Sequence, residues 1–373
     1  MPLSAYIHIP FCAHKCDFCD FAVVVGLEAR IAEYCATVAS EISARCRPAS
    51  ASPLETVYYG GGTPGYIPAE QLAVIHEALK RHVGVAADAE VTIETTPKCV
   101  TETKARLWRQ IGVNRISIGV ESLSDAELSA VGRGESAGQA RAAISTARQA
   151  GFDNVSCDLM YGLPTQTQES WTATLNELTA LPVEHISAYG LTLAERSPLK
   201  RRFPDDSPDN PGEELFAQMY ERLVTTLDGA GFSQYEISNF SRPGFASRHN
   251  LRYWQNDEYL AFGLSAHRYV GSVRSANYRS FSSYMSDPLG AEFEEVIDAD
   301  TCLREGIFLA LRTRAGLDPV YFSERYGVDV RLRYREVIER LSQAGLLEQD
   351  GDGWLRLTQK GVLVSNLAMS EFM

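Results

Sequence analysis

The chain has 373 residues, a length that predicts one large domain and a smaller one. Its 45% hydrophobic and 22% charged residues are ordinary for a globular protein, and we expect no membrane span and no signal peptide, hence a cytoplasmic location. The net charge of −13 argues against a nucleic-acid partner, because such a surface needs concentrated lysine and arginine.

The first predicted strand, at residues 3–9, runs directly into a loop with three cysteines, Cys12-Ala-His-Lys-Cys16-Asp-Phe-Cys19. Iron–sulfur clusters prefer thiolate ligands, and three thiolates at C-x3-C-x2-C spacing can hold a 4Fe–4S cluster with one iron open. A zinc loop is the alternative, although zinc sites usually have a second Cys or His pair downstream, and none follows here. The five other cysteines are scattered, which favours reduced thiols over a disulfide framework.

Strands and helices then alternate along the first half of the chain. The periodicity predicts helices at 30–45, 69–82, 101–111, 139–150 and 168–181, and strands at 56–59, 90–95, 115–120, 155–161 and 185–191. Six β–α units predict a parallel sheet with outer helices, and six units suit a partial (β/α)6 barrel better than a closed eightfold one. Chemistry in such barrels lies at the carboxyl ends of the strands, which carry the cysteine loop, the glycine turn at 60–64, Glu94, Glu121 and Asp158.

The pattern changes after residue 195. We predict a loop at 198–212, a helix at 213–227 and an extra strand at 235–240. Residues 248–269 carry polar and aromatic residues in a dense, irregular order. After residue 301, helices precede a turn at 350–353 and a strand at 354–357, as in a winged-helix module. Its ten basic and ten acidic residues cancel, so we interpret it as packing or lid material. The predicted division is a barrel at 1–195, an α+β extension at 196–300 and a winged-helix-like module at 301–373.

Five motifs, taken together, are similar to those of one family. They are Tyr6-Ile-His-Ile-Pro-Phe-Cys12, Cys16-Asp-Phe-Cys19-Asp-Phe21, Gly60-Gly-Gly-Thr-Pro64, Asp158-Leu-Met-Tyr-Gly-Leu-Pro164 and His249-Asn-Leu-Arg-Tyr-Trp254. The chain resembles the oxygen-independent coproporphyrinogen III oxidase-like family of the radical SAM superfamily, and within it the HemW-type heme chaperones. The resemblance spans nearly the whole chain.

This resemblance implies a radical SAM barrel with a 4Fe–4S cluster on Cys12, Cys16 and Cys19, and S-adenosylmethionine (SAM) on the open iron. It implies reductive cleavage of SAM to methionine and 5′-deoxyadenosine, with an electron from a reduced flavodoxin- or ferredoxin-like donor. Further cofactor-binding residues are implied by position, namely Tyr6, Phe18, Gly61, Gly62, Thr63, Glu94, Glu121, Arg133 and Asp158.

Physical roles can be assigned to several of these residues. The glycines of the turn have no side chains, so the backbone can approach the SAM amine closely. Glu94 and Asp158 can accept hydrogen bonds from SAM. The guanidinium of Arg133 can form paired hydrogen bonds with the SAM carboxylate. Each role has an alternative. The glycines can form an ordinary tight turn, the charged groups can be solvated or cap helices, and Tyr6 can pack in the core.

The motif that begins at His249 distinguishes branches of the family. Its resemblance implies heme binding, in which the imidazole ligates the iron, and a heme-receiving apoprotein as partner. The alternative is a buried, hydrogen-bonded histidine beside a packed tryptophan. Coproporphyrinogen oxidases proper tend to carry a fourth cysteine where this chain has Phe21, which disfavours the oxidase.

Three departures from the family pattern fall at the expected SAM face. Glu121 stands where glutamine is usual, Glu135 and Ser136 follow Gly134 where a histidine is usual, and Thr95-Thr96-Pro97-Lys98 replaces Asn-Pro-Gly. The first interpretation of the chain is a heme chaperone. The second is a radical SAM methyltransferase or cyclopropane-forming enzyme that uses two SAM molecules on an aromatic substrate, which the departures favour. The third is a coproporphyrinogen oxidase.

Overall fold

The structure, a computed structural model, describes residues 4–46, 52–193, 195 and 197–373. Strands and helices alternate in its first half, as the sequence predicts, and the first strand is described from Ser4. The parallel strands are β1 Ser4–Ile9, β2 Leu54–Gly61, β3 Val85–Thr95, β4 Arg115–Glu121, β5 Asn154–Tyr161 and β6 His185–Gly190. The helices between them are α1 Ile31–Arg45, α2 Ala69–His82, α3 Glu102–Ile111, α4 Asp125–Ala130, α5 Ala137–Gln149 and α6 Gln168–Ala180. Short 3-10 turns lie at Glu28–Arg30, Pro64–Tyr66 and Pro97–Cys99.

The two faces of this sheet differ in chemistry because successive side chains of a strand point to opposite sides. On one face, apolar residues such as Ile7, Val57 and Ile116 belong to the core that the helices cover. On the other face, the alternate positions are polar, and Tyr58, Ser117 and others line a cavity. The alternation in sequence therefore produces a barrel with an apolar exterior layer and a polar interior.

Helix boundaries follow from local capping chemistry. The hydroxyl of Thr101 caps α3 by accepting a hydrogen bond from the backbone N–H of Lys104 at 3.3 Å. The same helix ends at Gly112, whose φ of 118° is in the left-handed region that glycine adopts readily. Ser136 and Gln139 form a reciprocal capping box, so α5 begins two residues earlier than its periodicity indicates.

Both edges of the six-stranded sheet are extended by later parts of the chain. The full order is β7-β8-β6-β5-β4-β3-β2-β1-β9. Here β9 Leu260–Phe262 pairs in parallel with β1, and the hairpin of β7 Ser233–Glu236 and β8 Asn239–Ser241 joins β6 antiparallel. The residues that follow the predicted barrel therefore complete its sheet.

The rest of this middle segment forms short helices and a small sheet. Its helices are α7 Pro198–Arg202, α8 Glu213–Gly229, α9 Arg248–Trp254 and α10 Phe281–Ser286. A three-stranded antiparallel sheet contains β10 His267–Val270, β11 Val273–Ala276 and β12 Phe293–Val296.

Two sequence predictions in this segment are wrong. The loop predicted at 198–212 begins with α7, whose first turn is capped by the side chain of Ser197 and has Pro198 at its start. The single strand predicted at 235–240 is the β7–β8 hairpin. The stretch at 248–269, for which the sequence predicted no element, contains α9, which the hydroxyl of Ser247 caps, and β9.

The C-terminal residues have the helix and hairpin order predicted for a winged-helix-like module. The helices are α11 Ala299–Leu311, α12 Pro319–Tyr326, α13 Val330–Arg333, α14 Arg335–Gln343, α15 Gln359–Leu363 and α16 Ser365–Ser370. The hairpin of β13 Leu347–Gln349 and β14 Leu355–Leu357 lies between α14 and α15, so the predicted strand has a partner strand that the sequence analysis did not find.

One apolar core runs from Ala5 to Phe372. This core contains residues from both sides of positions 195 and 300. The division of the chain at these two positions stays a prediction. Among the helices of the described residues, none is long and apolar enough to cross a membrane.

Buried Glu41 of α1 connects the barrel to the middle segment. Its carboxylate accepts hydrogen bonds from the backbone N–H of Gly263 at 2.9 Å, the amide of Asn277 at 2.8 Å and the hydroxyl of Tyr284 at 2.9 Å. Arg45 of the same helix pairs with it at 2.9 Å. Because four donors converge on one buried side chain, its removal leaves them unsatisfied.

We expect Glu41→Ala to lower the free energy of unfolding by about 3 kcal/mol, because buried donors and Arg45 lose their acceptor. Chemical denaturation followed by circular dichroism measures the loss. The matched control is Glu33→Ala on the same helix, whose exposed ion pair with Arg30 predicts an unchanged midpoint. Equal midpoints for both variants would show that this contact does not hold the segments together.

Candidate functional site

The cysteine loop follows β1 and lies over the carboxyl end of the sheet. Backbone hydrogen bonds hold it, from Cys12 N–H to the Val24 carbonyl at 3.0 Å and from Val24 N–H to the Pro10 carbonyl at 2.8 Å. All three cysteines line the cavity, with Cys12 the most buried. Burial raises the pKa of Cys12 to about 11 and also raises that of Cys16. Iron binding by these thiols therefore releases protons.

The arrangement of the thiols fits a cluster better than a single zinc ion. A zinc ion holds its thiolates at about 2.3 Å, which requires ligands in close mutual contact. Within the described ranges, no three His, Cys, Asp or Glu side chains are close enough together to hold one metal ion. Three thiols that line one cavity suit an iron–sulfur cluster, whose irons are ligated separately.

The glycine turn packs directly against this loop, which explains why residues without a side chain occupy positions 60–62. A Cβ on Gly62 would lie 2.6 Å from the carbonyl oxygen of Pro10 and 3.0 Å from Cys12 Sγ. Gly61 has φ of 115°, and its backbone N–H donates to Glu94 at 3.1 Å. The hydroxyl of Thr63 lies 3.3 Å from Cys12 Sγ. The turn thus approaches the cysteine loop closely through its backbone, and its approach to the SAM amine stays a prediction.

Glu94 lies at the end of β3 beside the turn. Its carboxylate accepts a hydrogen bond from the hydroxyl of Tyr58 at 2.7 Å as well as the one from Gly61. Burial raises the pKa of Glu94 to about 7, although these two donors oppose the shift. The group lines the cavity and can change its charge near neutral pH.

Arg133 joins the cysteine loop to β4. Its guanidinium donates to Cys16 Sγ at 3.3 Å and to the Gly119 carbonyl at 2.6 Å. It also pairs with Glu121 at 3.4 Å and with Glu135 at 3.5 Å. Two of the departures from the family pattern, Glu121 and Glu135, therefore contact the arginine expected to bind the SAM carboxylate.

Glu121 adopts an uncommon backbone conformation at this site. Its φ is 64°, in the left-handed region, and the pairing register with β5 shifts between Gly119 and Glu121. Burial raises the pKa of Glu121 to about 7, while Arg133 lowers it. Such local strain at the carboxyl end of a barrel strand is typical of functional sites.

Asp158 of β5 completes the ring of acidic groups. Ser117 on the adjacent strand donates to it at 3.2 Å, and burial raises its pKa. Together, the loop, the turn and the strand ends enclose a cavity of about 490 Å³. The cavity contains the three cysteines and Phe18, Gly61, Gly62, Thr63, Glu94, Glu121, Arg133 and Asp158 of the residues expected from sequence.

Two expected residues are not among those that line this cavity. Tyr6 lies behind the glycine turn, where its ring stacks on Tyr58 and its hydroxyl bonds to His8 at 3.2 Å. His249 is buried, with Nδ1 2.8 Å from the Thr56 hydroxyl and Nε2 2.9 Å from the Tyr253 hydroxyl. Burial lowers the pKa of His249 to about 3, so the imidazole is neutral. In this conformation the histidine has the structural role that the sequence analysis left as the alternative.

The structure adds residues to the site that sequence analysis did not assign to it. Asn250, next to His249, faces the cavity, and so does Cys99, which follows the Lys98 already expected at the SAM face. The amine of Lys98 bonds to the Gly134 carbonyl across the opening. The cavity is also lined by Arg115, Ser117, Ser187 and Tyr189. The period-two pattern places these residues on the inner face of the sheet, and that pattern could have identified them.

Comparison with known proteins places the chain in a family. Residues 6–178 match the model of the radical SAM superfamily, and residues 297–364 match that of the HemN C-terminal domain. A protein of Bacillus subtilis named heme chaperone HemW is 32% identical over 375 residues, which cover 99% of both chains. The chain belongs to the radical SAM superfamily, in the family of the HemW proteins.

Two further relatives agree with this assignment. The mouse protein named radical S-adenosyl methionine domain-containing protein 1, mitochondrial, is 38% identical over 379 residues, or 97% of this chain and 85% of the relative. Among solved structures, HemN of Escherichia coli, a coproporphyrinogen III oxidase described as a radical SAM enzyme, matches with a TM-score of 0.87. That match has 24% identity and covers 100% of this chain and 90% of the other, so it confirms the fold.

Membership in the superfamily implies a 4Fe–4S cluster, SAM and an electron donor. The thiols of Cys12, Cys16 and Cys19 would hold the cluster, and Arg133 and the acidic groups of the cavity would surround SAM. When bound, the cluster supplies the electron that cleaves SAM. The charges of the protein fit this cofactor, since Glu94, Glu121 and Asp158 face a cavity that would hold a sulfonium cation.

We expect Cys16→Ala to abolish the broad visible absorption of the 4Fe–4S cluster after anaerobic reconstitution, because the loop then offers two thiolates instead of three. Iron and sulfide analysis measures the loss directly. Cys99→Ser is the matched control, as its thiol lines the same cavity outside the loop, and it should retain the cluster. A normal cluster in Cys16→Ala, or its loss in Cys99→Ser, would contradict the ligand assignment.

Proposed function

We propose that this protein binds heme and delivers it to apoproteins, with a 4Fe–4S cluster and SAM in its barrel. The full-length similarity to proteins named heme chaperones carries the proposal. Two features of the chain support it. The His249 motif forms α9 at the side of the cavity, and Phe21, where the oxidases tend to have a fourth cysteine, is an exposed side chain beside the cysteine loop. A reduced flavodoxin- or ferredoxin-like protein is the proposed electron donor.

His249 is the proposed ligand of heme iron, and the structure specifies what its use requires. Both ring nitrogens are occupied, by Thr56 and Tyr253, and the ring also stacks on Tyr58 at 5.0 Å. Iron ligation needs a free nitrogen, so the ring must first leave at least one of these hydroxyls. Because Tyr253 belongs to the same helix as His249, heme binding would be coupled to a local rotation of one of these side chains away from the ring nitrogen.

Hemin titration followed by the Soret band tests this role. The wild type should show a saturable spectral shift, and His249→Ala should weaken binding by about tenfold or more, because an axial ligand is lost. Tyr253→Phe frees Nε2 and should strengthen binding. His82→Ala removes a partly exposed histidine of α2 as a control and should bind as the wild type does. Unchanged binding by His249→Ala would exclude this ligand, and the absence of any shift in the wild type would exclude the function.

SAM affinity should depend on the charge of Glu94. Its pKa of about 7 means that the carboxylate is mostly protonated at pH 6 and mostly ionised at pH 8. An ionised carboxylate is the better acceptor for the hydroxyl and ammonium groups of SAM, so affinity should rise over this interval. Glu94→Gln should remove the contribution of this carboxylate to the rise in SAM affinity.

Isothermal titration of the cluster-loaded protein with SAM at pH 6, 7 and 8 measures the effect. Protonation of SAM itself affects the wild type and Glu94→Gln equally, so it cancels when the two proteins are compared. Glu121 also has a pKa of about 7, so Glu121→Gln is measured in parallel to separate the two groups. Identical pH profiles for the wild type and Glu94→Gln would show that Glu94 does not bind SAM.

A second candidate is a radical SAM methyltransferase or cyclopropane-forming enzyme that uses two SAM molecules. The departures from the family pattern favour it, because Glu121, Glu135 and Lys98 all line the cavity rather than the outer surface. Incubation with SAM and a chemical reductant distinguishes the two functions. Accumulation of S-adenosylhomocysteine together with an absence of heme binding would favour the enzyme.

A further inference from the structure

A buried arginine lies at the amino end of β4, and its Nε has no acceptor among the described residues. Arg115 is 2% exposed, and its side chain lines the cavity. Its Nε has no hydrogen-bond partner, and the structure shows no ion pair to its guanidinium among the residues described. Buried charged groups are normally paired, because an unpaired one has lost its hydration without compensation.

The carboxylates nearest to Arg115 are already used by other donors. Glu90 accepts hydrogen bonds from the backbone N–H groups of Arg248 at 3.1 Å and His249 at 3.0 Å, and so fixes the start of α9. Asp158 accepts from the hydroxyl of Ser117 at 3.2 Å. Neither carboxylate accepts a hydrogen bond from Arg115 Nε, which stays without an acceptor in a side chain that lines the cavity.

Arg115 remains charged in this position. Burial lowers its pKa, but the nearby Glu90, Tyr58, Tyr235 and Asp158 more than compensate, and the net shift is upward.

A second donor lines the same cavity. Asn250 is the residue after His249, and it lines the cavity while His249 does not. Its backbone N–H bonds to Ser247, so its position at the start of α9 is fixed. A guanidinium and a primary amide in one buried polar cavity form a donor set suited to a carboxylate.

We propose that Arg115 and Asn250 bind the carboxylate of a ligand in the part of the cavity farthest from the cysteine loop. A heme propionate would supply this carboxylate, and that source rests on the proposed function. The amino-acid carboxylate of a SAM molecule bound away from the cluster has the same chemistry. Arg115 is in either case a binding residue for a second anionic group, separate from the one that Arg133 and the open iron would hold.

The test pairs each ligand with an analogue that lacks the carboxylate. Anaerobically reconstituted wild type, Arg115→Gln and Asn250→Ala are titrated with hemin and hemin dimethyl ester, and with SAM and decarboxylated SAM. Arg141→Gln, an exposed arginine paired with Glu177 on the outside of α5, is the matched control. Circular dichroism and iron content verify that each variant is folded and loaded.

Arg115→Gln should weaken binding of the carboxylate ligand about ten- to hundredfold, because one charge-assisted hydrogen-bonded contact is lost. It should leave binding of the matching analogue unchanged, and Asn250→Ala should show a smaller loss of the same kind. The ligand that shows this selective loss is the source of the carboxylate. If Arg115→Gln does not fold, the loss in Asn250→Ala decides.

Two results would overturn the inference. One is that the variants bind both carboxylate ligands as tightly as the wild type does. The other is an equal loss of affinity for the carboxylate ligand and for its analogue, which would indicate a structural role for Arg115. These failures are separable from failure of the proposed function: if the wild type does not bind hemin at all, heme delivery is excluded, while the SAM titrations still decide whether Arg115 binds a carboxylate.

Discussion

The site depends on the polarity of every second side chain in six parallel strands. Parallel strands end at one edge of the sheet, so the loops that follow them meet there, and the cysteine loop and glycine turn are brought together with the acidic strand ends. The inner face below that edge is polar, with Tyr58, Arg115 and Asp158 among the residues that line the cavity. A closed barrel filled with branched apolar side chains would leave no room for a cofactor.

Arg133 shows how closely the parts of this site are coupled. One guanidinium contacts a cysteine thiol, a strand carbonyl and two carboxylates, so the loop after β1 is positioned relative to β4 by a single side chain. Donors to cluster sulfurs are among the factors that set the reduction potential of iron–sulfur centres. The same residue can thus influence both the cofactor site and the electronic properties of the cluster.

The sequence predicted the barrel because its signal is local. Period-two strands, helical faces and the spacing of Cys12, Cys16 and Cys19 are all visible within short windows, and each has its predicted place in the structure. What could not be predicted depends on contacts between distant parts of the chain. Glu41 is an ordinary helix residue until Gly263, Asn277 and Tyr284 pack against it. His249 similarly has a ligand-like sequence, and only tertiary structure shows that Thr56 and Tyr253 occupy both of its nitrogens.

The pairing of β9 with β1 has a consequence for the synthesis of the chain. Residues 5–7 form the outer edge of the parallel sheet, and they hydrogen-bond to residues 260–262. During translation, the first strand emerges from the ribosome long before its neighbour on that side, and it exposes an unpaired backbone edge until most of the polypeptide has been made. Such edges promote aggregation, and pairings between distant residues form slowly. The nascent protein should therefore need protection by cellular folding factors for longer than its local secondary structure would suggest.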